Sequence, residues 1–315
     1  MFEKILKKIE EANSIIVVGH IRPDGDCYGS QVALKEIIKA NYKDKKVYIV
    51  GNGLPFFFKT FGRMDEITPT IAKESLVIIV DVCEHHRIDS ELVKEFSNNI
   101  VVIDHHIVAD PIPYEKVVDE NACSTCELIC NMIHECGWKI TKRAAGSLYL
   151  GILTDTARFN YLDDHSRIHK ICSYLVDNGA DPDVINRILS LSPESKLIVQ
   201  GYVLTHYQKR KEGVLYIHIK YPELKNIKAT PAVGSLVVNM IGNIVGYPVW
   251  ASFIENEVGS CIMEFRSNRY TVSDVAVKYG GGGHRLAAGC TIKNYTQEDI
   301  EHVLDDLVNL IEEKE

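Results

Sequence analysis

No apolar run in the 315 residues approaches the ~20 needed to span a bilayer, so no membrane-embedded segment is expected. A secretory signal is missing too. The opening stretch MFEKILKKIEEANS sets Phe2, Ile5, Leu6 and Ile9 among acids and lysines, the spacing of an amphipathic surface helix, and a cytoplasmic location is expected. Basic residues are outnumbered, 35 Lys and Arg against 43 Asp and Glu, for a net charge of −8. Proteins that track a long duplex carry a basic face, so a nucleic-acid substrate would be a short one. The nine cysteines are an odd number and read as reduced thiols rather than a disulfide framework. Cys123 and Cys126 have metal-like spacing. With Cys130, however, they fall at i, i+3 and i+7 on one helical face, which favours core packing over a zinc site with His134 or Cys136. There is no internal repeat and no low-complexity segment.

What is present is alternation. Apolar, β-branched runs at 15–19, 45–50, 76–80 and 99–103 read as strands, with helices at 27–40 and 89–97 between them. STCELICNMIHEC reads as a helix capped by Ser124 with Glu127 three residues on. RAAGSLYLGILTDT reads as an apolar helix with a polar tip. Continuous apolar strands alternating with helices predict an α/β fold with a parallel sheet covered by helices on both faces. After about residue 185 the pattern changes. A polar-faced helix at 192–211 reads as a connector, and GVLYIHIK, VWASFIE and GSCIMEFRS read as strands of a smaller mixed-sheet α/β domain, with helices at 273–279 and 296–313. The expected division is 1–185, a helical linker at 186–209, and 210–315, with a hinge at about 186–195.

Three of the apolar runs end in the residues that cost most to bury. SIIVVGHIRPDGD (14–26) ends in His20, Asp24 and Asp26; LVIIVDVCEHH (76–86) reaches Asp81; IVVIDHH (100–106) reaches Asp104, His105 and His106. A fourth contribution is Asp155 in GILTDT. Ligands of open parallel sheets bind beyond the carboxyl ends of the strands, where these residues fall. Pro23 and Gly25 are expected to keep HIRPDGD a shaped loop. So many carboxylates repel one another unless divalent cations lie between them. Oxygen-rich ligands with imidazole and without thiolate suit Mn²⁺, or Mg²⁺, and there are enough for two cations. Such a pair activates water against a phosphoryl group, and no Ser or Cys nucleophile is needed. The second domain offers VKYGGGGHRLAAG (277–289). Four consecutive glycines have no place inside a strand or helix but let backbone amides approach an anion, with His284 and Arg285 as added donors. Arg266, near a strand end, suits bidentate phosphate contact.

Together GHIRPDGDCYGS, VDVCEHHR, VIDHH, GILTDT and GGGGH resemble, in order, the motifs of the DHH/DHHA1 phosphoesterases, over nearly the whole chain. The length resembles the oligoribonuclease and pAp-phosphatase branch rather than the longer RecJ exonucleases. The resemblance implies that His20, Asp24 and Asp81 hold one Mn²⁺, and that Asp26, Asp81, His105 and Asp155 hold a second, with Asp81 bridging. It implies that His106 meets the reacting phosphate or leaving group and that Asp104 orients the histidines. Arg266 and Gly281, Gly282, Gly283 and His284 would hold the far end of the substrate. Two departures stand out: His85 and His86 after Asp81, and Asn160 where an arginine is common, with Arg158 nearby. The expected substrate is a short single-stranded oligonucleotide or a nucleotide such as pAp. A pApA or cyclic-dinucleotide phosphodiesterase and a non-catalytic nucleotide-binding relative are the alternatives, and a homodimer is left open.

Overall fold

The computed structural model describes residues 1–52, 62–106, 113–192, 194–210 and 213–312. The chain divides into two compact units, Met1–Leu191 and Ser192–Glu315. In the first, strands β1 (Ser14–Val18), β2 (Lys46–Val50), β3 (Leu76–Val80), β4 (Ile100–Asp104) and β5 (Glu115–Val118) form one sheet in the order β2-β1-β3-β4-β5. Every pairing is parallel. The helices are α1 (Glu3–Glu11), α2 (Gly25–Asn41), α3 (Pro69–Glu74), α4 (Glu91–Phe96), α5 (Thr125–Cys136), α6 (Lys142–Asp155), α7 (His165–Asp177) and α8 (Pro182–Ser190).

The apolar runs are continuous because both faces of the sheet are covered. Ile15, Val17, Ile78, Val80, Val101 and Ile103 share a core with residues of α2, α5 and α6. Ile16, Val18, Val77, Ile79 and Val102 pack on the other face with Ala72 and Val93 of α3 and α4. The order reverses between β1 and β3, so a crevice opens at the carboxyl ends of these two strands. Across the first face α2 lies directly on α6. Gly29 permits the approach: a Cβ there would stand 2.4 Å from the carbonyl oxygen of Ser147.

One local expectation is corrected here. HIRPDGD is not wholly a loop, because α2 begins at Gly25. Asp24 is its N-cap: Oδ1 accepts the N–H groups of Asp26 and Cys27, both at 3.0 Å. Ser124 caps α5 as expected, accepting from Glu127 N at 3.1 Å, while Glu127 Oε2 accepts Cys123 N at 2.7 Å. Among the described residues no helix is long and apolar enough to cross a membrane.

The second unit holds α9 (Ser195–His206), β6 (Gln208–Arg210), β7 (Val214–Ile219), α10 (Tyr221–Asn226), α11 (Gly234–Met240), β8 (Val249–Glu255), β9 (Cys261–Ser267), α12 (Ser273–Lys278), β10 (Gly282–His284), β11 (Ala287–Ile292) and α13 (Gln297–Glu312). Its sheet runs β10-β11-β9-β8-β7-β6 and is mixed, with β7 and β8 parallel and the other neighbours antiparallel. The stretch 186–209 is shared between the units. Partly buried Ile188 and Leu189 pack on the first core, whereas Val199 and Val203 of α9 are buried in the second. The helix expected at 192–211 ends at His206, where the chain turns into β6; residues 193 and 211 lie outside the described residues, as does residue 313 of the helix expected at 296–313. The glycine run is also not purely a turn, since Gly282 and Gly283 enter β10 and pair with β11. Glycine is needed for this pairing: a Cβ on Gly281 would lie 2.1 Å from Gly289 O, and Gly283 has φ 135° with Ala288 Cα 2.6 Å from an added Cβ.

Candidate metal centre

Asp81 is the first residue beyond β3, and it adopts a left-handed backbone, φ 61°. A non-glycine residue pays about 1–3 kcal/mol for such a conformation. Here it is held by the Asp81 N–H to Ile103 carbonyl bond of 3.0 Å. The carboxylate is buried, and its two oxygens face different partners. Oδ2 lies 3.4 Å from His20 Nε2, while Oδ1 lies 3.6 Å from both His105 Nε2 and His106 Nδ1. Thr125 Oγ1 donates to Oδ1 at 3.1 Å.

Two of the histidines are held in the same way. His20 Nδ1 donates to the Ile21 carbonyl at 2.9 Å, and His105 Nδ1 to the Ala122 carbonyl at 3.2 Å. A carbonyl only accepts, so the proton sits on Nδ1 and each Nε2 is turned toward carboxylates, the second-sphere pattern of metal-binding imidazole. His105 Nε2 is buried and makes no hydrogen bond, although Asp155 Oδ2 is 3.2 Å away and Asp26 Oδ2 4.0 Å. His106 differs. Its Nδ1 donates to Asp104 Oδ1 at 2.8 Å, and the same oxygen accepts the backbone N–H groups of His105 and His106.

Asp26 is fully buried. Its Oδ2 accepts Thr125 N at 2.7 Å and its Oδ1 accepts Cys126 N at 2.9 Å, both amides of the first turn of α5. Asp24, on the exposed side, has Oδ1 3.8 Å from His20 Nε2. Burial, and then the repulsion of Asp26, raises the Asp81 carboxyl well above its ordinary range. Burial followed by repulsion from Asp26 and Asp24 pushes Asp155 up to about 9. Asp26 is also raised, chiefly by burial. Burial alone would lower His20, but hydrogen bonds with Asp24 and Asp81 outweigh it and hold the imidazole far above its usual value. Against burial, the His20 and His106 contacts keep Asp24 and Asp104 low.

Among the described residues three groups of donor atoms lie close enough to share cations: His20, Cys27 and Asp81; Asp81, His105 and His106; and Asp26, His105 and Asp155. An orphaned buried imidazole nitrogen amid carboxylates that resist ionisation fits divalent cations. His20, Asp26, Asp81, His105, His106 and Asp155 are thus brought together, with Asp24 at the rim and Asp104 behind His106. Two participants went unforeseen. Cys27 puts a thiol into a donor set expected to be free of sulfur, and Thr125 reaches two of the acids. Cys126 and Cys130 are core residues, and all nine cysteines are unbridged.

The other sequence-picked residues lie elsewhere. His85 and His86 are exposed in a 3₁₀ turn, His85–Arg87. Arg158 is exposed, sits in a run of three left-handed residues with Ala157 and Phe159, and donates to Ser190 Oγ at 3.4 Å. In the second unit Arg266 lines an open depression of about 580 Å³ with Gly280, Gly281, Gly282 and Gly283. Its guanidinium pairs with Glu264 Oε2 at 2.8 Å and donates to Phe265 O. Arg285 donates to Arg269 O at 3.2 Å, and His284 lies in β10.

Residues 14–152 match the model of the DHH family, N-terminal domain, and residues 211–313 that of the DHHA1 domain. The bifunctional oligoribonuclease and PAP phosphatase NrnA of Mycoplasma genitalium is 34% identical over 310 residues, covering 97% of this chain and 96% of its own. The chain belongs to the DHH family. The protein of the same description from Bacillus subtilis is 30% identical over 322 residues and the full length of both chains. Among solved structures, an exopolyphosphatase-related protein from Bacteroides fragilis superposes with a TM-score of 0.86 at 26% identity, covering 98% of this chain and 95% of that one. The matched stretch 14–152 contains His20, Asp24, Asp26, Asp81, Asp104, His105 and His106.

Proposed function

We propose that the protein is a metal-dependent phosphoesterase that hydrolyses short single-stranded oligonucleotides to mononucleotides and removes the 3′-phosphate of pAp. The observation that carries this reading is Asp81, whose two oxygens face separate histidine groups. His20, Asp24 and Asp81 would hold one cation, and Asp26, Asp81, His105 and Asp155 the other, with Mn²⁺ preferred and Mg²⁺ able to substitute. When bound, the pair polarises the phosphoryl group and lowers the pKa of water. The α5 amides fix Asp26 in place, and Ala122 and Ile21 fix the ring orientations of His105 and His20. Asp104 keeps the His106 proton on Nδ1. This leaves His106 Nε2 as the nitrogen available to the phosphate or the departing oxygen. Arg266, Gly281, Gly282, Gly283, His284 and Arg285 would hold the remote end of the substrate, and the bare glycine backbone lining the depression supports that role. Arg158 is proposed as an accessory substrate contact. The substrate assignment draws on the curated relatives from Mycoplasma genitalium and Bacillus subtilis, named for both activities.

The test is turnover of RNAs of two to five nucleotides and of pAp by chelator-treated protein with and without Mn²⁺. Both are expected to be hydrolysed, to mononucleotides and to AMP plus phosphate, only when the cation is returned. Asp81→Asn preserves shape and tolerates the left-handed backbone, so it isolates the charge; at least about a 100-fold loss is expected. Full activity in excess EDTA, or no turnover of either substrate, would overturn the reading.

A further inference from the structure

The two sides of the metal centre are not chemically equivalent. The donors around His105 are imidazole nitrogen and carboxylate oxygen. On the His20 side a sulfur is present as well. Cys27 Sγ and the donor atoms of His20 and Asp81 all lie within 4.8 Å of one another, and all three residues are buried. We propose that Cys27 is a metal ligand of the His20 side, where it completes a nitrogen, oxygen and sulfur donor set and makes that position the softer of the two.

The local geometry serves the sulfur. Cys27 is the third residue of α2, and its N–H is tied to Asp24 Oδ1 at 3.0 Å, so the turn that places Asp24 also places the thiol. The backbone N–H of His20 donates to Sγ at 3.3 Å, the kind of contact that offsets negative charge on a thiolate. Gly19 clears the space, since a Cβ there would stand 2.1 Å from Sγ. Cys130, by contrast, shares its buried surroundings with Leu128, Ile133 and other apolar side chains, as a space-filling thiol does. Ligation breaks the S–H bond, forms a metal–sulfur bond and releases one proton to solvent, with no change of oxidation state. Thiolate raises affinity for Zn²⁺, Co²⁺ and Cd²⁺ relative to Mn²⁺ and Mg²⁺. Mn²⁺ can therefore fill both positions, but the His20 side is expected to bind softer cations such as Zn²⁺ and Co²⁺ more strongly than the His105 side does.

The inference rests on the two-metal reading, and a Co²⁺ titration of the chelator-stripped, reduced full chain separates the two. Ligation by nitrogen and oxygen alone gives visible d–d bands; a sulfur ligand adds a near-ultraviolet charge-transfer band. The wild type is expected to show both, the latter saturating with one equivalent. Cys27→Ala and the size-preserving Cys27→Ser are expected to keep the d–d bands and lose the charge-transfer band. Their preference for Zn²⁺ over Mn²⁺ should fall by about 10–100-fold. Either d–d bands without charge transfer in the wild type, or charge transfer that survives in both variants, overturns the role of Cys27 and leaves the metal centre standing. No spectrum at all overturns both.

Discussion

Thr125 holds two acids of the metal centre at once. Its N–H donates to Asp26 and its hydroxyl to Asp81, 44 residues away in sequence. Thr125→Val removes only the hydroxyl. It is expected to weaken Mn²⁺ binding by about 10–100-fold in calorimetric titration, with Thr125→Ser close to wild type; equal affinity in the valine variant would show the hydroxyl to be idle. Such a role was not legible in the sequence, because a hydroxyl or a thiol announces nothing until the fold gives it a neighbour. The acids and imidazoles were legible, because a charge at the end of a buried strand needs a reason. They also set a pH dependence. Asp26, Asp81 and Asp155 hold their protons more tightly in the folded state than in the unfolded chain, where a carboxyl titrates near 3.8; in the folded state Asp155 moves up to about 9. The folded state then carries extra protons above the unfolded carboxyl range, for Asp155 up to about pH 9, so metal-free stability falls as pH rises. His20, raised above 6.5, acts in the same direction, while Asp24 and Asp104 oppose it only below about pH 4. In the proposed metal-bound state, cations would take the place of those protons. The gap in melting temperature between Mn²⁺-loaded and EDTA-treated protein should therefore widen from pH 5 to pH 9; a gap that narrows would contradict these shifts.

At the scale of elements, the four apolar strands could be read because two covered faces demand an unbroken run. β5 could not: Glu115 and Lys116 are exposed at this sheet edge and only Val117 is buried, so nothing distinguishes it from a loop. The start of α2 was misplaced because Pro23 and Gly25 suggest a turn, whereas the capping carboxylate of Asp24 decides for helix. β10 was hidden for a similar reason, since glycine disfavours strands except where backbones must touch. The same logic governs the α2–α6 contact that carries Asp26 and Asp155. Alanine at position 29 would gain up to ~1 kcal/mol in helix propensity but would press on a backbone oxygen, at a cost of about 1–3 kcal/mol. Gly29→Ala should therefore lower the melting temperature by about 2–8 °C. An unchanged or higher value in a thermal scan would mean that the helices can move apart freely.

At the scale of the whole molecule, length suggested more than one compact unit, but not where one gives way to the next. α8 and α9 follow one another closely in the chain, and only their packing reveals which core each serves. The proposed roles of the two units separate in one comparison. His284→Ala should reduce kcat/KM for a dinucleotide by about 30–1,000-fold, the loss of a contact worth roughly 2–4 kcal/mol. Hydrolysis of bis(p-nitrophenyl) phosphate, which has no remote end to hold, should barely change. Equal losses on both would put His284 in the chemical step, and no loss on either would leave the glycine strand without a substrate role. The dependence of Asp26 on the α5 amides has a further consequence, in the time domain. His20, Asp24 and Asp26 leave the ribosome long before Thr125, Cys126 and Asp155. At roughly 5–20 residues per second the nascent chain spends on the order of ten seconds with its first acids exposed and their partners unmade. With the proposed ligand set, cation capture would come among the last events in making the DHH unit, and the cation supply that matters would be the one met after α6 has settled onto α2.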